Sequence, residues 1–149
     1  MSIELSEELK TIVDGALAAG NPMLLAVVTG EGKPRLSFRG SVQTHGASGL
    51  GFWARKAEGE TMEGIRKNAN VALMYRDPAK RIILQFAGRA RLAEGAERDR
   101  VFEAAPEPEQ RADAERKGAG VVIDLESVEG ILGLGEDGKP NFVRLPHGG

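Results

Sequence analysis

The chain of 149 residues contains no cysteine, which excludes disulfides, thiolate nucleophiles and cysteine-based metal sites. Histidine occurs only at His45 and His147. Neither stands at metal-ligand spacing from the other or from a carboxylate pair, and no serine lies in a nucleophile-elbow motif, so no metal centre and no hydrolase triad is expected. No apolar run reaches the roughly 18 to 20 residues needed to span a bilayer. Acidic Glu4, Glu7 and Glu8 stand where a signal peptide would be basic, so a cytoplasmic, unprocessed protein is expected. A basic surplus is also missing. The formal net charge is -2 and the isoelectric point is near 5.8, which argues against a general binder of nucleic acid or anionic membranes. Any recognition of phosphate must therefore be local.

What is present reads as one domain over residues 1–149, large enough for a real core and too short for two. Ser2 or Ser6 can cap an opening helix over residues 3–19, whose Ile3, Leu5, Leu9, Ile12, Val13, Ala16 and Leu17 fall at helical spacing before Gly20 and Pro22. The apolar run 23–29 and the turn 30–34 then lead into a strand over residues 34–43. A second turn at 45–49 joins it to a strand at 50–55, a short helix at 59–68 follows, and strands at 71–76 and 81–92 make a further hairpin. Gly88 marks a bend or bulge in the long second arm. Residues 95–117 are charged and alanine-rich, with Pro106 and Pro108 splitting two short helices into an exposed insertion or lid. Residues 120–134 and 141–145 return to strand character around a turn at 136–139. Six or seven mostly antiparallel strands with short helices are most economically closed into a barrel, which hides their edges.

The strand 34–43 carries Arg35, Ser37, Arg39 and Ser41 at every second position, on one face of the pleat. Planar guanidinium forks and small hydroxyls suit phosphate oxygens, so the row reads as an anion site. It reads equally well as the solvated face of an amphipathic strand with Leu36, Phe38 and Val42 on the core side. Trp53, beside Arg55 and Lys56, fits a large core or interface anchor better than a platform for a planar cofactor. Thr61 lies in the first turn of a helix whose N–H groups favour anions, while Glu58 and Glu60 compete for the same positive end.

Taken in order, Pro34-Arg35-Leu36-Ser37-Phe38-Arg39-Gly40-Ser41, Leu50-Gly51-Phe52-Trp53-Ala54-Arg55, Ile65-Arg66-Lys67-Asn68-Ala69-Asn70-Val71-Ala72-Leu73 and Gln85-Phe86-Ala87-Gly88-Arg89-Ala90-Arg91-Leu92 resemble the pyridoxamine 5'-phosphate oxidase-like family of flavin-binding split barrels. The likeness covers roughly residues 8–135 and rests on the ordered combination. It implies a mainly β fold, a six-stranded antiparallel split β-barrel over residues 23–145, forming a homodimer with one flavin mononucleotide (FMN) in each of two interface clefts. By the same resemblance Arg35 begins the cofactor-binding strand, and Leu36, Ser37, Phe38, Arg39, Gly40 and Ser41 run along the flavin. Trp53 and Ala54 replace an aromatic-threonine pair beside it, Arg55 adds charge, and Thr61 stands where many members have a phosphate-binding lysine.

The sequence also departs from the family pattern. The family's Ser-Arg-Lys phosphate grip is Gly59-Glu60-Thr61 here, Ile83 stands near a flavin-contacting glutamine, and the substrate-binding C-terminal residues of the oxidase are not recognisable. The expectation is a flavin-dependent oxidoreductase that does not oxidise pyridoxamine phosphate, with the redox chemistry on the flavin and no protein side chain as general acid or base. One alternative is a deazaflavin (F420) reductase, with Arg55, Lys56 and Arg66 lining the tail groove. The other is a non-catalytic module for flavin or haem. No substrate is legible in the lid.

Overall fold

A computed structural model describes residues 3–147. The helix α1 (Glu7–Asp14) opens the fold, shorter than the expected 3–19 because its ends are fixed locally. Ser6 Oγ accepts the Leu9 N–H at 3.2 Å, and Gly15 ends the helix. Ser2, the alternative cap, lies outside the described residues. Ile3 and Leu5 are still buried, but they enter the core as extended chain ahead of the helix. Among the described residues, no helix is long and apolar enough to cross a membrane.

Eight strands follow: β1 (Met23–Val28), β2 (Pro34–Arg39), β3 (Gln43–His45), β4 (Gly49–Ala54), β5 (Asn70–Asp77), β6 (Ile82–Leu92), β7 (Ala119–Leu134) and β8 (Pro140–Leu145). The helix α2 (Glu60–Lys67) lies between β4 and β5, and α3 (Gly95–Ala104) and α4 (Glu107–Ala112) lie between β6 and β7. All strand pairs are antiparallel, in the order β2-β1-β5-β6-β7-β4-β3, with β8 on β7. The count exceeds the expected six because the polar strand breaks at Gly40 into β2 and β3, and because β8 folds back as a hairpin on β7. β6 shifts register on β7 at Ala87/Gly88. A side chain at Gly88 would run into the Asp124 carbonyl, so the bulge requires glycine.

The two ends of the sheet, β2 and β3, are consecutive in the chain, yet no ladder joins them. This is the split in the barrel. The β3–β4 register pairs Gln43 with Gly51, and two residues further on it would set Ser41 opposite Trp53. There the serine side chain stands in for the strand. Ser41 Oγ accepts the Trp53 N–H at 2.9 Å and donates to the Trp53 carbonyl at 3.1 Å, with both residues buried. Ser41 therefore leaves the polar row of β2, which keeps only Arg35, Ser37 and Arg39.

β2 is also turned opposite to an ordinary amphipathic strand. Leu36 and Phe38, on the core side in the solvated-face reading of this strand, are 63% and 70% exposed, whereas Ser37 and Arg39 are half-buried. Val42 is buried as expected. Outside β2, the core forms from alternate residues in the usual way, among them Leu25 of β1, Leu50 and Phe52 of β4, Leu84 and Phe86 of β6, and Val121 and Ile123 of β7. β4 is buried on both faces, because Trp53 points the other way into a second cluster with Val101 and Phe102 of α3, Val122 and Ala93. The insertion is thus more than an exposed lid, since α3 closes a small core of its own.

Replacing Ser41 by alanine leaves the Trp53 N–H and carbonyl buried without partners, a loss of about 2 to 4 kcal/mol for two such groups. Urea unfolding of Ser41→Ala should show that loss. A change below about 0.5 kcal/mol, the level of an ordinary surface substitution, would mean that water replaces the hydroxyl.

Candidate functional site

A cleft of about 610 Å³ opens at the split. Arg35, Phe38 and Arg39 of β2 with Gly40 and Ser41 of the following turn form one wall, and Trp53, Ala54, Arg55 and Lys56 from the end of β4 form the other. The floor is the loop 58–59 and the first turn of α2 with Thr61 and Met62, and α4 supplies Glu109. Of the residues expected at a cofactor, Arg35, Phe38, Arg39, Ser41, Trp53, Ala54, Arg55 and Thr61 line this cavity. Leu36 and Ser37 do not. Leu36 points outward, and Ser37 acts through its neighbour by accepting the Arg39 Nε–H at 3.0 Å.

Arg39 is the centre of the cleft. Its guanidinium reaches Thr61 Oγ1 at 3.4 Å and lies 5.5 Å from the Phe52 ring centroid. Burial, and then the charges of Arg35 and Arg55, push its pKa below the ordinary arginine value, and Glu109 pulls the other way. Among the described residues, Arg39, Arg55 and Lys56 form no ion pair. The acids at the helix entrance are already engaged. Glu60 Oε2 accepts from Arg35 Nη1 at 2.6 Å, and Glu58 lies 3.7 Å from Arg66. These pairs are solvent-exposed and contribute little to stability, but they take Arg35 partly out of service and leave Arg39, Arg55 and Lys56 as the cleft cations without an ion pair among the described residues.

Ser41 has no donor to spare for a ligand, since its O–H goes to the Trp53 carbonyl. The Trp53 indole is likewise committed. Its Nε1–H donates to Asp113 Oδ2 at 2.8 Å, Phe102 packs edge-on at 4.9 Å, and the Arg98 guanidinium stacks at 4.6 Å. This is the anchor reading of the tryptophan. Burial tends to raise the Asp113 pKa, but hydrogen bonds from Trp53 and the Lys117 and Gly118 N–H groups outweigh it and hold the carboxyl below its usual range. Glu109 had no signal in the sequence: it is one acid among many in a charged segment, and only the packing of α4 brings it to the cleft.

The insertion has a second clasp on the same face of the sheet. Glu97 of α3 accepts two hydrogen bonds from Arg91, at 2.6 and 3.0 Å, and sits 3.0 Å from His45 Nε2, while Arg91 Nε also donates to Asp124 at 2.9 Å. His45, expected in a turn, ends β3. The hydrogen bonds from Arg91 and then His45 hold the Glu97 pKa down at about 2.

No family model and no curated protein matches the chain. Solved structures do. One is a Clostridium acetobutylicum protein related to general stress protein 26 of B. subtilis, of the pyridoxinephosphate oxidase family; it has a TM-score of 0.63 at 11% identity, covering 95% of this chain and 97% of that one. PhzG from Burkholderia lata, solved with tetrahydrophenazine-1-carboxylic acid, gives 0.67 at 13% identity, covering 92% and 83%. A heme binding protein from Mycobacterium smegmatis gives 0.65 at 17% identity, covering 93% of this chain and 59% of that one. At such identities the likeness is one of fold. The chain has the split-barrel fold of the pyridoxamine 5'-phosphate oxidase-like proteins.

The Glu97 clasp carries a pH signature. Its folded-state pKa lies below the ordinary 4.5, so its stabilisation is full above that value and is lost as pH falls through about 2. The stability gap between wild type and Glu97→Gln, read by urea unfolding, should narrow on acidification and close near the lower limit. A gap independent of pH would remove the carboxylate from the clasp.

Proposed function

We propose that the cleft binds the phosphate and ring of FMN and that the protein is a flavin-dependent oxidoreductase of the split-barrel type. The observation that carries this reading is the convergence of Arg39 and Arg55, neither of them ion-paired among the described residues, in one cavity of a chain whose net charge is -2. Unpaired guanidinium groups beside a helix N-terminus suit a phosphate monoester, and Thr61 adds a hydroxyl. The cavity volume of about 610 Å³ falls within the usual range for small-molecule sites. Bound flavin would supply the hydride-accepting ring. Arg39, Arg55 and Thr61 would hold its phosphate, and Phe38, Ala54 and the wall at Trp53 would bound the ring.

Two features favour FMN over the alternatives. The described residues lining the cleft include no histidine, cysteine or tyrosine, and Met62 is buried in the core, so the side chains that commonly ligate haem iron are missing. Glu58, Glu60 and Glu109 ring the cleft and disfavour the polyanionic tail of a deazaflavin.

Self-association fits the same reading. Directly opposed strand residues share a face, so Phe38, Leu24 and Met74 form one outward row and Leu36, Ala26 and Ala72 the next. With Ile83 and Phe142, the second of them 76% exposed, they make an apolar sheet face of the kind that a second copy covers.

Oxidised flavin in freshly purified protein, or its uptake on addition, tests the binding reading; protein that stays colourless with added FMN would overturn it. Arg39→Gln should weaken FMN binding by about 1.5 to 3 kcal/mol, the value of a lost charge-assisted contact. For the apolar face, sedimentation should give twice the 15.9 kDa chain mass, and Leu36→Asp, outside the cleft, should shift it to monomer. Monomeric wild type would remove the dimer.

A further inference from the structure

Among the described residues Glu109 is the cleft's only lining residue from the helical insertion, and the flavin reading uses it only as one of three acids at the rim. It is half-buried, and among the described residues its carboxylate accepts no hydrogen bond and makes no ion pair. Its Oε1 lies 2.6 Å from the point where a β-carbon on Gly40 would stand, so the missing side chain at 40 lets the carboxylate lie against the end of β2. The segment that carries it is fixed at several points. Asp113 Oδ2 accepts from the Trp53 indole and from the Gly118 N–H, both at 2.8 Å, and Gln110 Nε2 donates to the Glu103 and Ala105 carbonyls at 3.0 and 2.9 Å. An unpaired negative charge is thus held over the same cavity as the unpaired Arg39 and Arg55.

We propose that Glu109 is a specificity-determining residue that restricts the cleft to ligands with a single phosphate-sized anionic group and rejects a diphosphate or longer polyanion. A small anion can seat on Arg39, Arg55 and Thr61 and leave Glu109 at a distance. A second phosphate extends the charge toward α4, where a partly desolvated carboxylate repels it with little screening. This selectivity rests on the reading of the cleft as an anion site.

The test is an amide chemical-shift titration of isotope-labelled protein with inorganic phosphate and, separately, pyrophosphate. It compares wild type, Glu109→Gln and Arg39→Gln. Wild type should bind pyrophosphate no more tightly than phosphate, with shifts centred on residues 39–41 and 53–61. Glu109→Gln should tighten pyrophosphate about tenfold and phosphate only two- to threefold, as expected for removal of one nearby like charge. Equal changes for both probes, no change, or weaker binding of either would overturn the selector role. If neither probe shifts these residues in wild type, or Arg39→Gln binds both as well as wild type does, the anion-site reading fails instead. Among the described residues the Glu109 side chain bonds to nothing in the fold, so Glu109→Gln retains the wild-type amide spectrum outside the cleft.

Discussion

The fold turns on one hydroxyl. At the end of the β3–β4 ladder, Ser41 Oγ both accepts from and donates to the backbone of Trp53. A strand in that position would have paired with its own backbone and continued the sheet. A side chain that satisfies the same two groups leaves the main chain at 39–41 free to cross from one edge of the sheet to the other. The opening this leaves is lined by residues of that crossing. Trp53, held from below by Ser41, holds the insertion from above through Asp113. Opening, cleft and lid therefore share a single support.

The electrostatics of the cleft follow from this geometry. An acidic chain concentrates Arg35, Arg39, Arg55 and Lys56 around one cavity, where Arg39 is depressed by burial and by its like-charged neighbours. Two of these charges have local support: Arg39 has Ser37, Thr61 and the Phe52 ring, and Arg35 has Glu60.

Much of this was legible from residue order. The hairpins, α2 after Gly59, the two short helices of the insertion and the bulge at Gly88 all lie where turn residues and alternation put them. What failed was the sidedness of β2. A period of two shows that the faces of a strand differ, but not which face meets the core, and the usual assumption puts Leu36 and Phe38 inside. Ser41 could not be read as buried either, because its place depends on a break at Gly40 that an unbroken alternation conceals. The charged insertion hid the small core of Val101, Phe102 and Trp53, since two apolar residues on a short polar helix carry no periodic signal. Glu109 was out of reach for the same reason: its role exists only through the packing of its helix.

β2 serves two surfaces with six residues: cations on the cleft side and apolar groups on the outer side, interleaved one by one. Its register is set by the turn in which the Thr29 N–H meets the Lys33 carbonyl and Gly32 takes a positive φ. Inserting or deleting one residue there would exchange the two faces, turning Leu36 inward and Arg39 onto the outer sheet. The length of that turn thus decides which side chains of β2 face the cavity as firmly as the identity of those side chains does.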